Sequence, residues 1–178
     1  MAPKRTAEAE RLEGTAIHEA GHAVAAYYLR VRIKYVTIVP NGDAHVEFGR
    51  HGVFDHSLRG TDRAERHIMV RFAGQIAERR RAPHSKWRRG GWIDRAAALE
   101  LFSRIDHPDL KVRDLHLKLL WRKTECLVEL RWQDIQVVAD ALLKHKRLDA
   151  TQVAAVIDKA QGQKPITFKP PATVAARA

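Results

Sequence analysis

The spacing of apolar residues predicts a first helix followed by a small β-structure. Four apolar residues near the N-terminus recur at intervals of three or four: Ile17, Ala20, Val24 and Tyr28. They predict a helix over residues 7–29 with one buried face. The β-branched segment 33–39 predicts a strand, and the turn signal at 40–43 predicts a return as a second strand over 44–48.

Helical spacing returns after a predicted loop at residues 51–60. A second helix is expected to begin at Thr61 or Asp62, because Asp62 and Glu65 have the spacing of a capping box. Its predicted buried face carries Ala64, Ile68, Phe72 and Ile76. The helix is expected to end in the three arginines at 79–81, whose charge suits the negative C-terminal end of a helix.

The rest of the chain also predicts helices. A third is expected from near Asp94, then a helical stretch over 108–148 interrupted near Arg131, and a short helix after Asp149 or Thr151. The predicted fold class is mainly α (α+β), with one domain over residues 1–160 and one small β-hairpin or sheet after the first helix. The Pro- and Ala-rich segment 161–178 is expected to be extended or disordered.

Composition indicates a globular protein of the cytoplasm. Of the 178 residues, 45% are apolar and 30% are charged. No run approaches the ~20 apolar residues that span a bilayer, and the basic N-terminus is not followed by the apolar stretch of a secretory signal. We therefore expect no membrane span. Cys126 is the single cysteine, which excludes an internal disulfide framework and fits a reducing compartment.

The formal charge of +11 has two interpretations. Its densest segments are 79–81, 86–89 and 144–147. Such an excess indicates either a solvated basic face or a surface for nucleic acid, acidic partners or anionic membranes. A basic nucleic-acid-binding protein is therefore an alternative function, although the sequence contains no zinc finger or RNA-recognition signature.

The motif His18-Glu19-Ala20-Gly21-His22 lies in the first predicted helix. Residues four apart share one helix face, so the two imidazoles can bind one metal ion, and the small residues between them allow another element to pack closely. The glutamate can then act as the base for a water molecule that the metal activates. The motif predicts a metal-dependent peptidase that still needs a third ligand.

Spacing leaves the third ligand open. A histidine six residues after His22 is absent, because Tyr28 stands there. Four carboxylates downstream are candidates: Glu47, Glu65, Glu78 and Asp94. Glu78 lies beside the buried face of the second predicted helix, while Asp94 follows two glycines and could simply be a helix N-cap.

Five segments, in order, resemble the peptidase domain of FtsH-type ATP-dependent zinc proteases. They are residues 15–23, 34–42, 72–78, 90–98, and 142–143 with 148–149. The resemblance implies one zinc ion bound by His18, His22 and Asp94, with Glu19 as general base and Glu78 in a structural role. The implied activity is hydrolysis of peptide bonds in polypeptide substrates.

In that family, the strand after the zinc helix borders the active-site cleft. The resemblance therefore implies that Val36, Thr37 and Ile38 bind an extended substrate by strand addition. The family domain assembles as a hexamer, so the resemblance also allows a homo-oligomer.

The chain departs from the family in two respects. Its 178 residues contain neither a membrane anchor nor a phosphate loop of the Gly-x-x-x-x-Gly-Lys-Ser/Thr type. We therefore expect a stand-alone peptidase that acts on unfolded or loosely folded proteins or works with a separate unfoldase. Arg89, Arg95 and Leu99 also differ from the family pattern near Asp94. A catalytically inactive FtsH-like scaffold or regulator is accordingly a second alternative.

Overall fold

The fold is mainly helical, with one small antiparallel sheet, as the sequence predicts. The computed structural model describes residues 7–38, 44–49, 57–83 and 91–162. The elements follow in the order α1 (Ala7–Tyr28), β1 (Ile33–Thr37), β2 (His45–Phe48), α2 (Leu58–Arg81), α3 (Gly91–Phe102), α4 (Leu110–Leu130), α5 (Trp132–His145), β3 (Arg147–Asp149) and α6 (Ala150–Ala160). Within these ranges, no helix has the length and apolar character needed to cross a membrane.

Helix α1 lies at the centre of the core, and the small residues of its buried face let other helices pack closely around it. Ala16, Ala20 and Ala23 are fully buried. Small side chains let neighbouring backbones approach closely, and α1 packs against both α2 and α5. Larger side chains such as Phe102 and Leu142 fill the space around this contact. The residues in the middle of α1 are therefore held firmly on several sides.

The start of α2 differs from the prediction. The helix begins at Leu58 with Ser57 as its N-cap, whose side chain accepts a hydrogen bond from the Gly60 N–H at 3.1 Å. Asp62 lies within the helix and pairs with Arg66 one turn further along. Serine and aspartate are about equally favourable as N-caps, so residue type alone did not identify the start of the helix. The turn predicted at 40–43 and the tail from 163 onward lie outside the described residues.

The C-terminal half confirms two predicted boundaries and adds a strand. Helix α4 ends at Leu130 with Arg131 as its C-cap, where an interruption was predicted, and Asp149 caps α6 in a capping box with Gln152. Between α5 and α6, however, the chain forms β3 instead of remaining helical to residue 148. Lys146 adopts a left-handed conformation with φ of 64°, which ends α5 and turns the chain towards the sheet.

The arginines at the end of α2 contact neighbouring helices. The guanidinium of Arg79 lies over the ring of Trp121 at 5.9 Å, and that of Arg80 lies over Trp132 at 4.9 Å. Arg81 pairs with a glutamate of α1. Each of the two cation–π contacts contributes about 0.5–1 kcal/mol to stability if it is exposed. Part of the basic charge therefore holds the helices together.

Candidate metal centre

The close approach of α1 and α2 brings the two motif histidines against α2. A Cβ atom added to Gly21 would lie 2.8 Å from the carbonyl oxygen of Ala73 and 2.9 Å from Cβ of Ala77. Both distances are shorter than van der Waals contact, so only glycine fits between the helices. His18 and His22 lie on this side of α1 and are buried. Gly21 thus lets α1 approach α2 closely enough for both imidazoles to lie against α2.

Three side-chain atoms converge in the space beside α1. Nε2 of His18 and Nε2 of His22 are 3.1 Å apart, and Oδ2 of Asp94 lies 3.1 Å from the first and 3.2 Å from the second. Atoms about 2.0–2.1 Å from one tetrahedral zinc ion lie about 3.3–3.4 Å from each other. The observed triangle has almost this size. His18, His22 and Asp94 could therefore hold one metal ion.

The other nitrogen of each imidazole is occupied by an acceptor. Nδ1 of His22 lies 2.7 Å from the carbonyl oxygen of Val70, and Nδ1 of His18 lies 3.1 Å from Oε2 of Glu78. A carbonyl or carboxylate oxygen can only accept, so each Nδ1 carries a proton. In the neutral imidazoles, both Nε2 atoms then present lone pairs towards each other and towards the Asp94 carboxylate. Three lone pairs at this distance repel unless a cation lies between them.

The pKa values of His18 and Asp94 also indicate that the cluster is more stable with an added positive charge. Burial lowers the pKa of His18, but the hydrogen bonds to Asp94 and Glu78, together with the charges of Glu19 and Asp94, outweigh burial and raise this pKa to about 10. Burial would raise the pKa of Asp94, yet the adjoining imidazoles hold it well below its usual range. The residues therefore fit a metal ion, and without one they would hold an additional proton.

Asp94 reaches the histidines from the first turn of α3. The helix begins at Gly91, so Asp94 is not the N-cap that its position after two glycines suggested. A Cβ atom on Gly91 would lie 3.0 Å from Cγ of Gln75, which shows that α3 starts tightly against α2. The second carboxylate oxygen, Oδ1, accepts a hydrogen bond from Nη1 of Arg71 at 3.2 Å.

Glu19 lies beside the cluster without taking part in it. Its side chain is buried, and among the described residues its Oε2 atom has no hydrogen-bond partner. Burial raises the pKa of this carboxyl group, and the charges of His22 and His18 act in the opposite direction. A buried carboxylate oxygen without a partner costs stability, so its presence here calls for an explanation other than packing.

The remaining candidate carboxylates have other partners. Glu47 pairs with Lys34 and Glu65 with His116, each at 3.1 Å. Glu78 contacts His18 on the nitrogen that faces away from the cluster, so it orients the imidazole and does not join the triangle. An outer carboxylate of this kind fixes the tautomer of a metal-binding histidine.

Two contributors escaped the sequence analysis. Val70 supplies a backbone carbonyl, which no side-chain pattern can reveal. Arg71 is a charged residue near the buried face of α2, and that break in the apolar pattern is the one signal that could have identified it.

The predicted substrate strand is already paired on both sides. The sheet order is β2-β1-β3, and Val36 and Thr37 each pair with both neighbours. The N–H of Ile38 donates to the carbonyl oxygen of Lys146 at 2.9 Å. Among the described residues, Val36 and Thr37 therefore have no free backbone edge, and the predicted strand addition at Val36, Thr37 and Ile38 finds no support in the sheet. All three residues are buried.

No protein-family model matches the sequence, and no curated protein matches it.

Proposed function

We propose that the chain is a zinc-dependent metallopeptidase that cleaves peptide bonds within polypeptides. One observation carries the proposal: two imidazole lone pairs and one carboxylate oxygen converge beside a buried glutamate whose Oε2 has no partner among the described residues. Two histidines and a carboxylate with a neighbouring general base are the ligand set of zinc peptidases. Within this class, the ordered motifs favour an FtsH-type peptidase domain.

In this proposal His18, His22 and Asp94 hold the ion, and Glu19 handles the proton. A bound zinc ion lowers the pKa of water towards ~7 and polarises a carbonyl group. Oε2 of Glu19 accepts the proton of the attacking water and later delivers it to the leaving amine. Burial raises the pKa of Glu19, which brings its basicity closer to the value suited to proton transfer near neutral pH.

The substrate is proposed to bind at the outer edge of β2 instead of at β1. In the described part of the sheet, β2 is the outer strand of the order β2-β1-β3, next to β1. His45 is near enough for its charge to act on Glu19. A peptide that adds to the edge of a sheet must be in an extended conformation. The proposed substrates are therefore unfolded or loosely folded proteins, either already in that state or supplied by a separate unfoldase.

The test combines metal analysis with hydrolysis of a denatured, fluorescently labelled protein such as casein. Three variants are compared with the parent: Glu19→Gln, Asp94→Ala and the control Glu100→Gln, which neutralises an exposed glutamate of α3 paired with Arg104. We expect about one zinc per chain in the parent, in Glu19→Gln and in the control. Asp94→Ala should lose most of the metal.

Hydrolysis separates the proposed peptidase from its alternatives. The parent and Glu100→Gln should cleave the labelled protein, and Glu19→Gln should lose nearly all of this activity while it keeps zinc. Zinc without hydrolysis in every sample would favour an inactive scaffold. If the parent binds no zinc after reconstitution, the peptidase proposal fails, and salt-dependent binding to DNA becomes the next measurement because the chain carries a charge of +11.

A further inference from the structure

Arg71 of α2 joins three elements around the candidate metal centre. Its Nη1 atom donates to Oδ1 of Asp94 at 3.2 Å, and its guanidinium carbon lies 4.7 Å from the centre of the Phe48 ring on β2. Asp94 belongs to α3, so Arg71 connects α2, α3 and the outer strand β2 of the described sheet. The aromatic face and the carboxylate together fix the plane of the guanidinium.

The two oxygens of Asp94 have different partners. Oδ2 faces the imidazoles of His18 and His22, at 3.1 and 3.2 Å, while Oδ1 is held by Arg71. A carboxylate with both oxygens free can bind a metal through one or both of them. A guanidinium hydrogen bond to Oδ1 favours binding through Oδ2 alone. It also prevents the carboxylate from rotating about its last bond.

Charge supplies a second, independent argument. Three carboxylates surround the centre, those of Glu19, Glu78 and Asp94, and all three are largely buried. Of the lysines and arginines in the part of the chain that the structure describes, Arg71 is the one that pairs with any of these carboxylates. One guanidinium and one divalent cation together balance three negative charges. Without Arg71, the loaded centre would carry an excess negative charge at a site with little access to water.

We infer that Arg71 is a positioning residue that holds Asp94 as a one-oxygen ligand and thereby keeps a coordination position open for substrate. The inference rests on the proposed metal centre and goes beyond it, because neither the histidine motif nor the choice of Asp94 requires an arginine at this position. Catalytic centres of this type have three protein ligands and one open position. A second oxygen from Asp94 would fill the space that water and substrate must share.

The experiment compares Arg71→Met and Arg71→Lys with the control Arg66→Met. Arg66 lies on the same helix and also pairs with an aspartate, Asp62, but on the exposed side and away from the centre. Zinc affinity is measured by competition with a chromogenic chelator. The visible spectrum of each cobalt(II)-substituted protein reports whether four or five ligands surround the metal. Circular dichroism checks that each variant is folded.

We expect Arg71→Met to lower zinc affinity about 10–100-fold, the usual effect of removing an outer partner of a metal ligand. Its cobalt spectrum should shift from a four-coordinate towards a five-coordinate form. Arg71→Lys should recover part of the affinity, since an ammonium group can donate to Oδ1 but lacks the planar fork. Arg66→Met should match the parent in both measurements.

Each contrary result has a distinct meaning. If the parent binds zinc and Arg71→Met binds it with the same affinity and the same cobalt spectrum, the inference is overturned and the metal centre stands. If the parent binds neither ion, the proposed function and the inference both fail. Should Arg71→Met not fold, Arg71→Lys decides the matter: lower zinc affinity with a shift towards the five-coordinate spectrum supports the inference, whereas parental affinity and spectrum overturn the positioning role of the guanidinium.

Discussion

Gly74 of α2 lies directly against the imidazole of His22, and replacing it with alanine tests the observed packing of the site. A Cβ atom there would come within 2.4 Å of Nε2 and 2.6 Å of Cε1 of His22. Carbon atoms in favourable contact are about 3.5–4.0 Å apart. The ring cannot simply turn away, because its Nδ1 atom is held by the carbonyl oxygen of Val70 at 2.7 Å. Gly74→Ala must therefore separate α1 from α2 or break that hydrogen bond.

The size of the effect follows from two opposing contributions. Overpacking a well-filled core costs about 1–3 kcal/mol, whereas alanine in place of glycine within a helix stabilises by about 0.5–1 kcal/mol. We expect the free energy of unfolding of the metal-free protein to fall by about 0.5–2 kcal/mol as the net result. Displacement of Nε2 should also lower zinc affinity by at least the 10–100-fold typical of a lost outer partner.

Urea unfolding with and without zinc, and competition with a chelator, measure the two quantities. Gly14→Ala is the matched control, because it lies in α1 and a Cβ atom there would meet no heavy atom within 4 Å. This control should gain about 0.5–1 kcal/mol of stability from helix propensity and keep the parental zinc affinity. If Gly74→Ala behaves like Gly14→Ala in both measurements, His22 does not occupy the position described above.

Two further predictions concern contacts near and far from the site. Glu78→Ala should lower zinc affinity about 10–100-fold, because the imidazole of His18 loses the acceptor that orients it. Glu78→Gln keeps an acceptor oxygen and should lose less affinity. Equal zinc affinities in the parent and both variants would contradict this prediction. Asp149→Ala should lower the free energy of unfolding by about 1 kcal/mol through loss of the capping box of α6, with no change in zinc affinity. Unfolding curves and the chelator titration check both predictions. A drop in zinc affinity for Asp149→Ala would contradict the expectation that the cap of α6 does not affect the metal centre.

Local geometry explains why half of the candidate site could be predicted from sequence. His18 and His22 are one helical turn apart, so any sequence that makes α1 helical places their imidazoles on one face. Asp94 is separated from His22 by 72 residues in the chain. Its approach depends on how α3 packs against α2, which periodicity does not encode. The resemblance to a known family, and not the spacing, singled out Asp94 before the structure brought the three residues together.

The sheet illustrates a limit of a different kind. β3 contains only three residues, and Leu148 alone among them is buried. So short a segment has no recognisable alternation, and the helical pattern of α5 extends across it. Yet this strand covers the second edge of β1 and removes it from the surface available to a substrate. The prediction of strand addition at β1 came from the family resemblance, and the sequence pattern gave no sign that β3 occupies that edge.

The surroundings of Glu19 support the proposed enzyme over the alternative of an inactive scaffold. A structural zinc site is closed by four protein ligands. Here three ligand atoms converge within the described residues, and Oε2 of Glu19, which follows His18 in the chain, is buried without a hydrogen-bond partner among them. A scaffold would be more stable with an apolar side chain at this position, because an unsatisfied buried oxygen costs about 1–3 kcal/mol. A peptidase requires an oxygen in that state, free to accept a proton beside the open coordination position, so the arrangement favours the enzyme.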